Sequence, residues 1–251
     1  MAGHSKWANI KHKKAASDAK RSKVFTRVLK EIMVAARQGG GDPGGNPRLR
    51  HAISEARSNN VPNDNIDRAI KKGTGELEGV NLEEMNYEGY GPGGVAVLLD
   101  VVTDNKNRTV GELRHLFSKH GGNLGENGCV AWMFDMRGMF LIDSSSLDEE
   151  AFMEIALELG AEDFSTEDEG YQLLTAPEDY GSTLDQIGDR EDVSLVASQL
   201  ARLPQNTIAV DADGAPRLLR LIEALEEHDD VQNVWSNFDI PAEVIEALDV
   251  G

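Results

Sequence analysis

The chain has 251 residues and a formal net charge of −19, and its single cysteine cannot form an intramolecular disulfide. Nothing in the sequence therefore requires an oxidising compartment. The N-terminus lacks the apolar core of a secretory signal, and it is Lys-rich where an organelle import sequence would be rich in Arg and Ser. The apolar stretch that begins at Val95 stops at Asp100, far short of the roughly 20 residues of a membrane helix. We expect a soluble, cytoplasmic protein that does not enter a membrane.

Charge is segregated along the chain. Residues 1–75, which we call the basic head, carry 16 Lys and Arg against 6 Asp and Glu, whereas the other 176 residues carry 9 against 38. A nucleic acid would encounter this head and not the average charge of the chain. Trp7 fits either base stacking or an anchor on the helical core. The cations of the head predicted to contact phosphates are Lys6, Lys11, Lys13, Lys14, Lys20, Arg21, Lys23, Arg27 and Lys30.

Three segments of the head have apolar residues at helical spacing. The first spans residues 17–38, the second follows the capping residue Asn46, and the third opens at Pro62. Compatible apolar stripes allow the three helices to close one small core. The Gly-rich loop 39–45 lacks the Gly-Lys-Ser/Thr ending of a phosphate-binding loop, so we interpret it as a connector.

Residues 74–90 are polar and acidic and are predicted to form a linker. A strand from Val95 to Val102 follows, then a helix that Thr109 caps, then a strand over Cys129–Phe134. Farther on, the pattern predicts alternating strands and helices; these lie at 138–142, 148–159, 161–164, 171–175, 180–190 and 194–203, and then at 207–210, 215–227 and 231–238.

The element order predicts the α+β class, with an N-terminal three-helix domain followed by two ferredoxin-like βαββαβ domains, one inserted in the other. The predicted basic helical domain covers residues 1–77. A discontinuous α+β domain covers 78–135 plus 206–251, and the inserted acidic α+β domain covers 136–205. Two consecutive domains are the alternative, but each end would then have half a sheet and an exposed apolar face.

Lys106, Arg108 and Arg114 are three of only nine cations after residue 75. They flank a predicted helix start, where main-chain N–H groups favour anions. Two roles fit these three cations equally: a second phosphate contact, or salt bridges that tie this domain to others.

No catalytic or metal-binding motif stands out. The only cysteine is Cys129, the six histidines are scattered, and His115 and His120 are five residues apart, which does not place both on one helix face. We predict no enzymatic activity, no cofactor and no metal.

The chain contains several long motifs: His4–Lys14, Tyr87–Val95, Thr103–Thr109, Phe117–Gly125, Val130–Phe134 and Gln232–Asp239. Together they resemble the YebC family, whose members include the mitochondrial translational activator of cytochrome oxidase. The resemblance implies a helical N-terminal domain, two α+β domains, a cytoplasmic location and no catalytic activity. Bacterial members are described as probable transcriptional regulators that bind DNA, and other members act on ribosomes. This chain departs from the family pattern in the acidity of its middle insert. That acidity argues against a nucleic-acid contact in that part of the chain.

The sequence thus predicts a non-enzymatic, nucleic-acid-binding regulator. Its partner is DNA in the first hypothesis and ribosomal RNA or tRNA, as for a translation factor, in the second. No recognition helix with base-reading Arg or Asn is evident, which suits phosphate contact with either nucleic acid. The sequence leaves the oligomeric state open.

Overall fold

The structure, a computed structural model, describes residues 18–241 except 80, 146, 168 and 169, together with residue 244. The described residues divide into two compact units. Residues 132–207 form the inserted unit, and the described residues on either side of it form the split unit. Compactness alone does not establish that a segment folds independently, so the predicted boundaries of the three domains stay a prediction.

Seven helices and ten strands are described. The helices are α1 Asp18–Gly39, α2 Pro47–Ser58, α3 Asn63–Gly73, α4 Lys106–Lys119, α5 Glu149–Glu158, α6 Tyr180–Gly188 and α7 Ala215–Glu226. The strands are β1 Glu83–Tyr90, β2 Ala96–Thr103, β3 Asn123–Leu124, β4 Phe134–Ile142, β5 Asp163–Glu167, β6 Gly170–Thr175, β7 Leu195–Pro204, β8 Ile208–Ala209, β9 Val231–Ser236 and β10 Phe238–Asp239.

The first three helices share one apolar core, because each has a stripe of apolar residues at three- and four-residue spacing. Ile32 of α1, Leu49 of α2 and Ile66 of α3 all lie in it. The side chain of Asn46 accepts a hydrogen bond from the N–H of Leu49 at 3.1 Å, which is the predicted cap of α2. The predicted helices of the head are confirmed.

The main sheet of the split unit is antiparallel, with the strand order β3-β1-β2-β9. The prediction of a linker over 74–90 is wrong for its second half, because Glu83–Tyr90 forms strand β1 and pairs with β2 along its whole length. The polar sequence of β1 gave little sign of a strand. What holds β1 in place is its neighbour β2, in which seven of eight residues are buried.

Two further predictions in the split unit need correction. Helix α4 begins at Lys106 and is capped by Asn105, whose side chain accepts from the N–H of Arg108 at 3.1 Å. Thr109, the predicted cap, lies inside the helix and is buried. A competing Asx cap four residues earlier therefore prevailed over the capping-box spacing.

The predicted strand over Cys129–Phe134 is instead a 3₁₀ turn at Ala131–Met133 that leads into β4. Strand β8 pairs in parallel with β10 in a separate two-stranded sheet and does not join the main one. The elements of the split unit therefore do not follow the predicted βαββαβ order. The predicted α+β class, with N-terminal helices followed by antiparallel sheets, is confirmed.

The inserted unit has the predicted βαββαβ order. Its antiparallel sheet runs β5-β6-β4-β7, the ferredoxin-like arrangement. Helices α5 and α6 bury their apolar stripes on this sheet, and Phe152 of α5 stacks on Tyr171 of β6 with ring centroids 4.4 Å apart.

Candidate nucleic-acid interface

The basic face of α1 contacts residues 227–232, which lead from the end of α7 into β9. Lys23 Nζ donates to the carbonyl oxygen of Glu227 at 2.6 Å, and Arg27 Nη1 donates to that of Gln232 at 3.3 Å. Lys23, Arg27 and Lys30 lie on one side of α1 because helix residues three and four apart share a face. The face predicted to meet phosphate thus meets main-chain carbonyls of the same unit.

All three N–H donors of Lys30 are used within the split unit. They reach the carbonyl oxygens of Val102 and Asp229 at 3.2 and 2.9 Å and the Oδ1 of Asp230 at 2.7 Å. Only 14% of the Lys30 side chain is exposed. Lys30 has no donor left for a phosphate in this arrangement, so we leave it out of the proposed interface.

Asp230 is the centre of this contact, and its side chain is 6% exposed. One carboxylate oxygen accepts from Lys30. The other accepts from Arg108 Nη2 at 2.7 Å, from the Thr109 hydroxyl at 2.7 Å and from the Thr103 hydroxyl at 3.1 Å. A buried carboxylate that is bonded on both oxygens satisfies the rule that buried charges are paired. Asp230 thereby joins α1, β2 and α4.

The environment of Asp230 keeps it ionised. Burial raises the pKa of the carboxyl group, but hydrogen bonds from Lys30, Arg108 and Thr109 and the charge of Lys30 lower it by more. The net effect is a pKa well below the usual range of an aspartate. The carboxylate is therefore ionised at neutral pH, where it holds the two cations in place.

The second cationic pair predicted from the sequence also has protein partners. Lys106 Nζ lies 2.5 Å from Glu83 Oε2, and Arg108 Nη2 contacts Asp104 at 2.9 Å as well as Asp230. The hydrogen bond and charge of Asp230 raise the pKa of Arg108. Of the two alternatives for these residues, the geometry supplies the salt bridges, and a phosphate contact by either residue stays a prediction.

We expect Arg108→Glu to lower the melting temperature while leaving the nucleic-acid affinity of the folded protein unchanged. The reversed charge would face Asp230 and Asp104, and repulsion would replace two ion pairs. Melting and binding measured on one sample check this. An unchanged melting temperature with weakened binding would identify Arg108 as a phosphate contact instead.

Among the described residues, one group has ligand atoms close enough together to hold a metal ion: Glu112, His228 and Asp230. Internal bonds already use these atoms. His228 Nδ1 accepts from the N–H of Asp230 at 3.1 Å, and His228 Nε2 contacts Glu112 Oε2 at 2.9 Å. Since both ring nitrogens and both Asp230 oxygens have partners, the group does not fit a metal.

Cys129 does not have the environment of a nucleophile. Burial raises the pKa of its thiol, and the charge of Glu88 raises it further. Reactive cysteines need the opposite, an electropositive setting that favours the thiolate.

Several predicted residues lie outside what the structure describes. Only the backbone of α1 is described at Lys20 and Arg21. The remaining predicted contacts lie outside the described residues altogether: Lys6, Trp7, Lys11, Lys13 and Lys14.

Sequence reasoning missed Asp230 and its threonine partners. The run Glu226–Asp230 carries no signal of its own, because a local pattern does not distinguish a buried acid from a solvated one. The one signal in the sequence that pointed to Asp230 was Lys30, a cation on a helix face that could bind an acidic side chain of the same protein.

The described fold is that of an α+β protein in which the buried ion pair between Lys30 and Asp230 joins the first of the basic N-terminal helices to the sheet region that follows. The chain belongs to the TACO1/YebC family. Its residues 5–76 match the model of the TACO1/YebC N-terminal domain, and residues 82–238 match that of the second and third domains.

Similar proteins span nearly the same length. A probable transcriptional regulatory protein of Natranaerobius thermophilus is 55% identical over 98% of this chain and 99% of its own. One of Magnetococcus marinus, with the same description, is 53% identical over 99% of each chain. The crystal structure of a conserved hypothetical protein from Aquifex aeolicus matches with a TM-score of 0.84 at 47% identity, covering 95% of this chain and 98% of the other.

None of the described helices is both long and apolar enough to cross a membrane.

Proposed function

We propose that this protein is a non-enzymatic regulator that binds nucleic acid through its basic head, and specifically a DNA-binding transcriptional regulator. One observation carries the proposal: residues 1–75 have a net charge of +10 and the rest of the chain −29. At physiological salt the Debye length is about 8 Å, so acidic surface a domain's width away barely opposes a phosphate at the head. The names of the relatives support the transcriptional role.

The proposed interface combines the cations before and at the start of α1. Lys23 and Arg27 contribute their remaining N–H groups, since each has one hydrogen bond to a carbonyl oxygen among the described residues and Arg27 also lies 3.7 Å from Glu55. Trp7 supplies a stacking surface. The other members are Lys6, Lys11, Lys13, Lys14, Lys20 and Arg21.

The absence of catalysis is part of the proposal and rests on the environment of Cys129 and on the regulator names of the relatives. We place the activity in the cytoplasm, as expected from the sequence. A translation factor that binds ribosomal RNA would use the same phosphate contacts. The test below therefore compares binding to DNA with binding to ribosomal RNA.

The test measures the affinity of the full chain for duplex DNA as salt is varied. If about five head cations contact phosphates, log K against log salt should have a slope near −4.5 on duplex DNA and about −3.5 on single strands. Replacing Lys11, Lys13 and Lys14 together with Glu should reduce the duplex slope to about −1.8 and weaken binding to every sequence alike.

The matched control carries the same charge change on α3, as Arg68→Glu, Lys71→Glu and Lys72→Glu. These three side chains are exposed and have no ion pair with any residue that the structure describes. The control should keep most of the slope. Equal loss in both variants would mean that the charge of the whole head, and not the proposed interface, is responsible, and a wild-type slope near zero would refute the proposal. Much tighter binding to ribosomal RNA than to DNA at equal salt would favour the translation factor.

A further inference from the structure

A second concentration of positive charge lies in the otherwise acidic part of the split unit. Lys119 and His120 end α4, and Arg217 and Arg220 lie in the first half of α7. We call these four residues the α4–α7 patch. It holds three of the nine cations present after residue 75. Lys119 and Arg220 are exposed and have neither a hydrogen bond nor an ion pair with another described residue.

The four side chains converge on one location. Arg217 Nε donates to the carbonyl oxygen of His120 at 3.1 Å, which joins the two helices and leaves the other N–H groups of the guanidinium without a described partner. Burial lowers the pKa of His120, and the charges of Lys119, Arg220 and Arg217 lower it further. All three cations therefore raise the electrostatic potential at a single ring.

Several glycines, whose backbone no side chain covers, adjoin these cations. A methyl group on Gly121 would lie 2.3 Å from Arg217 Nη2, so the guanidinium packs directly on the backbone there. A methyl group on Gly122 would lie 2.4 Å from the Tyr90 oxygen, which brings the turn Gly91–Gly94 to the same place. Gly93 and Gly94 are exposed, and a side chain at either would meet only open space. Such backbone allows a ligand to approach closely.

The chemistry of the patch fits phosphate better than protein. The large exposed hydrophobic residues among those described are Leu77, Trp132, Met153, Leu157, Val196 and Leu200, and none belongs to the patch. Protein interfaces need an apolar centre, whereas phosphate contacts need only cations and main-chain N–H groups.

We propose that the α4–α7 patch, together with the exposed residues Gly93 and Gly94, is a second contact site for the phosphate backbone of a nucleic acid. The proposal rests on the proposed function and deepens it: one nucleic acid would contact the basic head and this patch. Arg217 and Arg220 are three residues apart on one face of α7 and would present two guanidinium groups to successive phosphates.

The test uses the full chain and a duplex DNA of arbitrary sequence. Lys119→Gln with Arg220→Gln should reduce the magnitude of the salt slope by about 1.8, since each lost phosphate contact removes about 0.9. Between 50 and 200 mM salt, wild-type affinity should thus fall about 12-fold more than that of the variant. Arg217 is left intact because it also caps α4.

Arg114→Gln is the matched control, and its salt slope is compared with that of the single variant Arg220→Gln. Arg114 is exposed on α4, five residues before Lys119 and about 140° around the helix, and its charge is not among those acting on His120. Arg114→Gln should leave the slope unchanged, while Arg220→Gln should reduce it by about 0.9. Melting curves identify any variant that fails to fold.

The outcomes separate this proposal from that for the head. An unchanged slope in the double variant overturns the patch, while a reduced slope in the Lys11, Lys13 and Lys14 variant still supports the head. A slope that depends on the patch alone supports the patch and overturns the head. If wild type has no salt-dependent binding, both fail. Loss of polyglutamate binding in the double variant, with DNA binding intact, would assign the patch to an acidic protein and overturn the proposal.

Discussion

Replacing Asp230 with Asn should lower the free energy of unfolding by about 3–5 kcal/mol, the usual cost of removing one partner from a buried ion pair. The carboxylate is nearly inaccessible and accepts hydrogen bonds from Lys30, Arg108, Thr109 and Thr103. An amide of the same shape would leave the ammonium group of Lys30 without its counter-ion and would turn two N–H groups toward other donors. Urea unfolding at pH 7 measures the loss.

Asp229→Asn is the matched control, because its side chain is exposed and only its carbonyl oxygen contacts Lys30. That variant should unfold like wild type. A double-mutant cycle that pairs Asp230→Asn with Lys30→Met should show coupling, with the double variant less destabilised than the sum of the single ones. Additive effects would mean that the ion pair does not contribute to the fold.

The same ion pair predicts a pH dependence. The pKa of Asp230 is lower in the folded than in the unfolded protein, so its contribution is complete above the ordinary aspartate pKa of about 3.9 and disappears as pH falls through the folded value. The stability gap between wild type and Asp230→Asn should therefore be constant from pH 7 to about pH 5 and shrink below about pH 4. A gap that stays constant down to pH 3 would contradict the assignment.

Replacing Glu88 with Gln should lower the free energy of unfolding by about 2–4 kcal/mol, since hydrogen bonds to a charged group are each worth about 1.5–3 kcal/mol. Glu88 is 5% exposed. Its carboxylate accepts three main-chain N–H groups, from Gly128 at 2.6 Å, Val130 at 2.7 Å and Ala131 at 2.8 Å. A glutamine presents one acceptor and one donor where these three partners are all donors.

The three amides lie in the segment just before the inserted unit, so the loss of stability in Glu88→Gln should be detectable in that segment. Amide hydrogen exchange at Gly128, Val130 and Ala131 should accelerate in Glu88→Gln more than exchange in the core of the three helices. Glu126→Gln changes an exposed glutamate of the same segment and serves as the control. Equal protection of these amides in both variants would show that Glu88 does not fix the segment.

Several features of this protein were predictable from local pattern. The stripes of α1, α2 and α3, the cap Asn46 and the whole element order of the inserted unit follow from apolar spacing and turn residues that are close together in sequence. The predictions that failed were also local. Thr109 offered a cap where Asn105 offered a better one, and the polar β1 had no strand pattern of its own.

Within the candidate interface, the sequence indicated which end of the chain is basic but not which cations are available to a ligand. Lys30 and Arg27 had the same spacing and the same prediction. All three N–H donors of Lys30 have partners, whereas Arg27 keeps N–H groups that a ligand can reach. The difference depends on carbonyl and carboxylate groups that lie mostly some 200 residues away in the sequence.

The sequence by itself determined the helical head, the α+β class, the charge segregation and the family, because composition, periodicity and long ungapped motifs are properties of neighbouring residues. Only the tertiary structure decided that Asp230 binds Lys30 and Arg108, that β1 pairs with β2, and that Lys119 and Arg220 lie around one histidine. The physical reason is that ion pairs and sheet partners are chosen by position in space. An acidic residue in a run such as Glu226–Asp230 becomes a buried anion only when the fold brings cations to it.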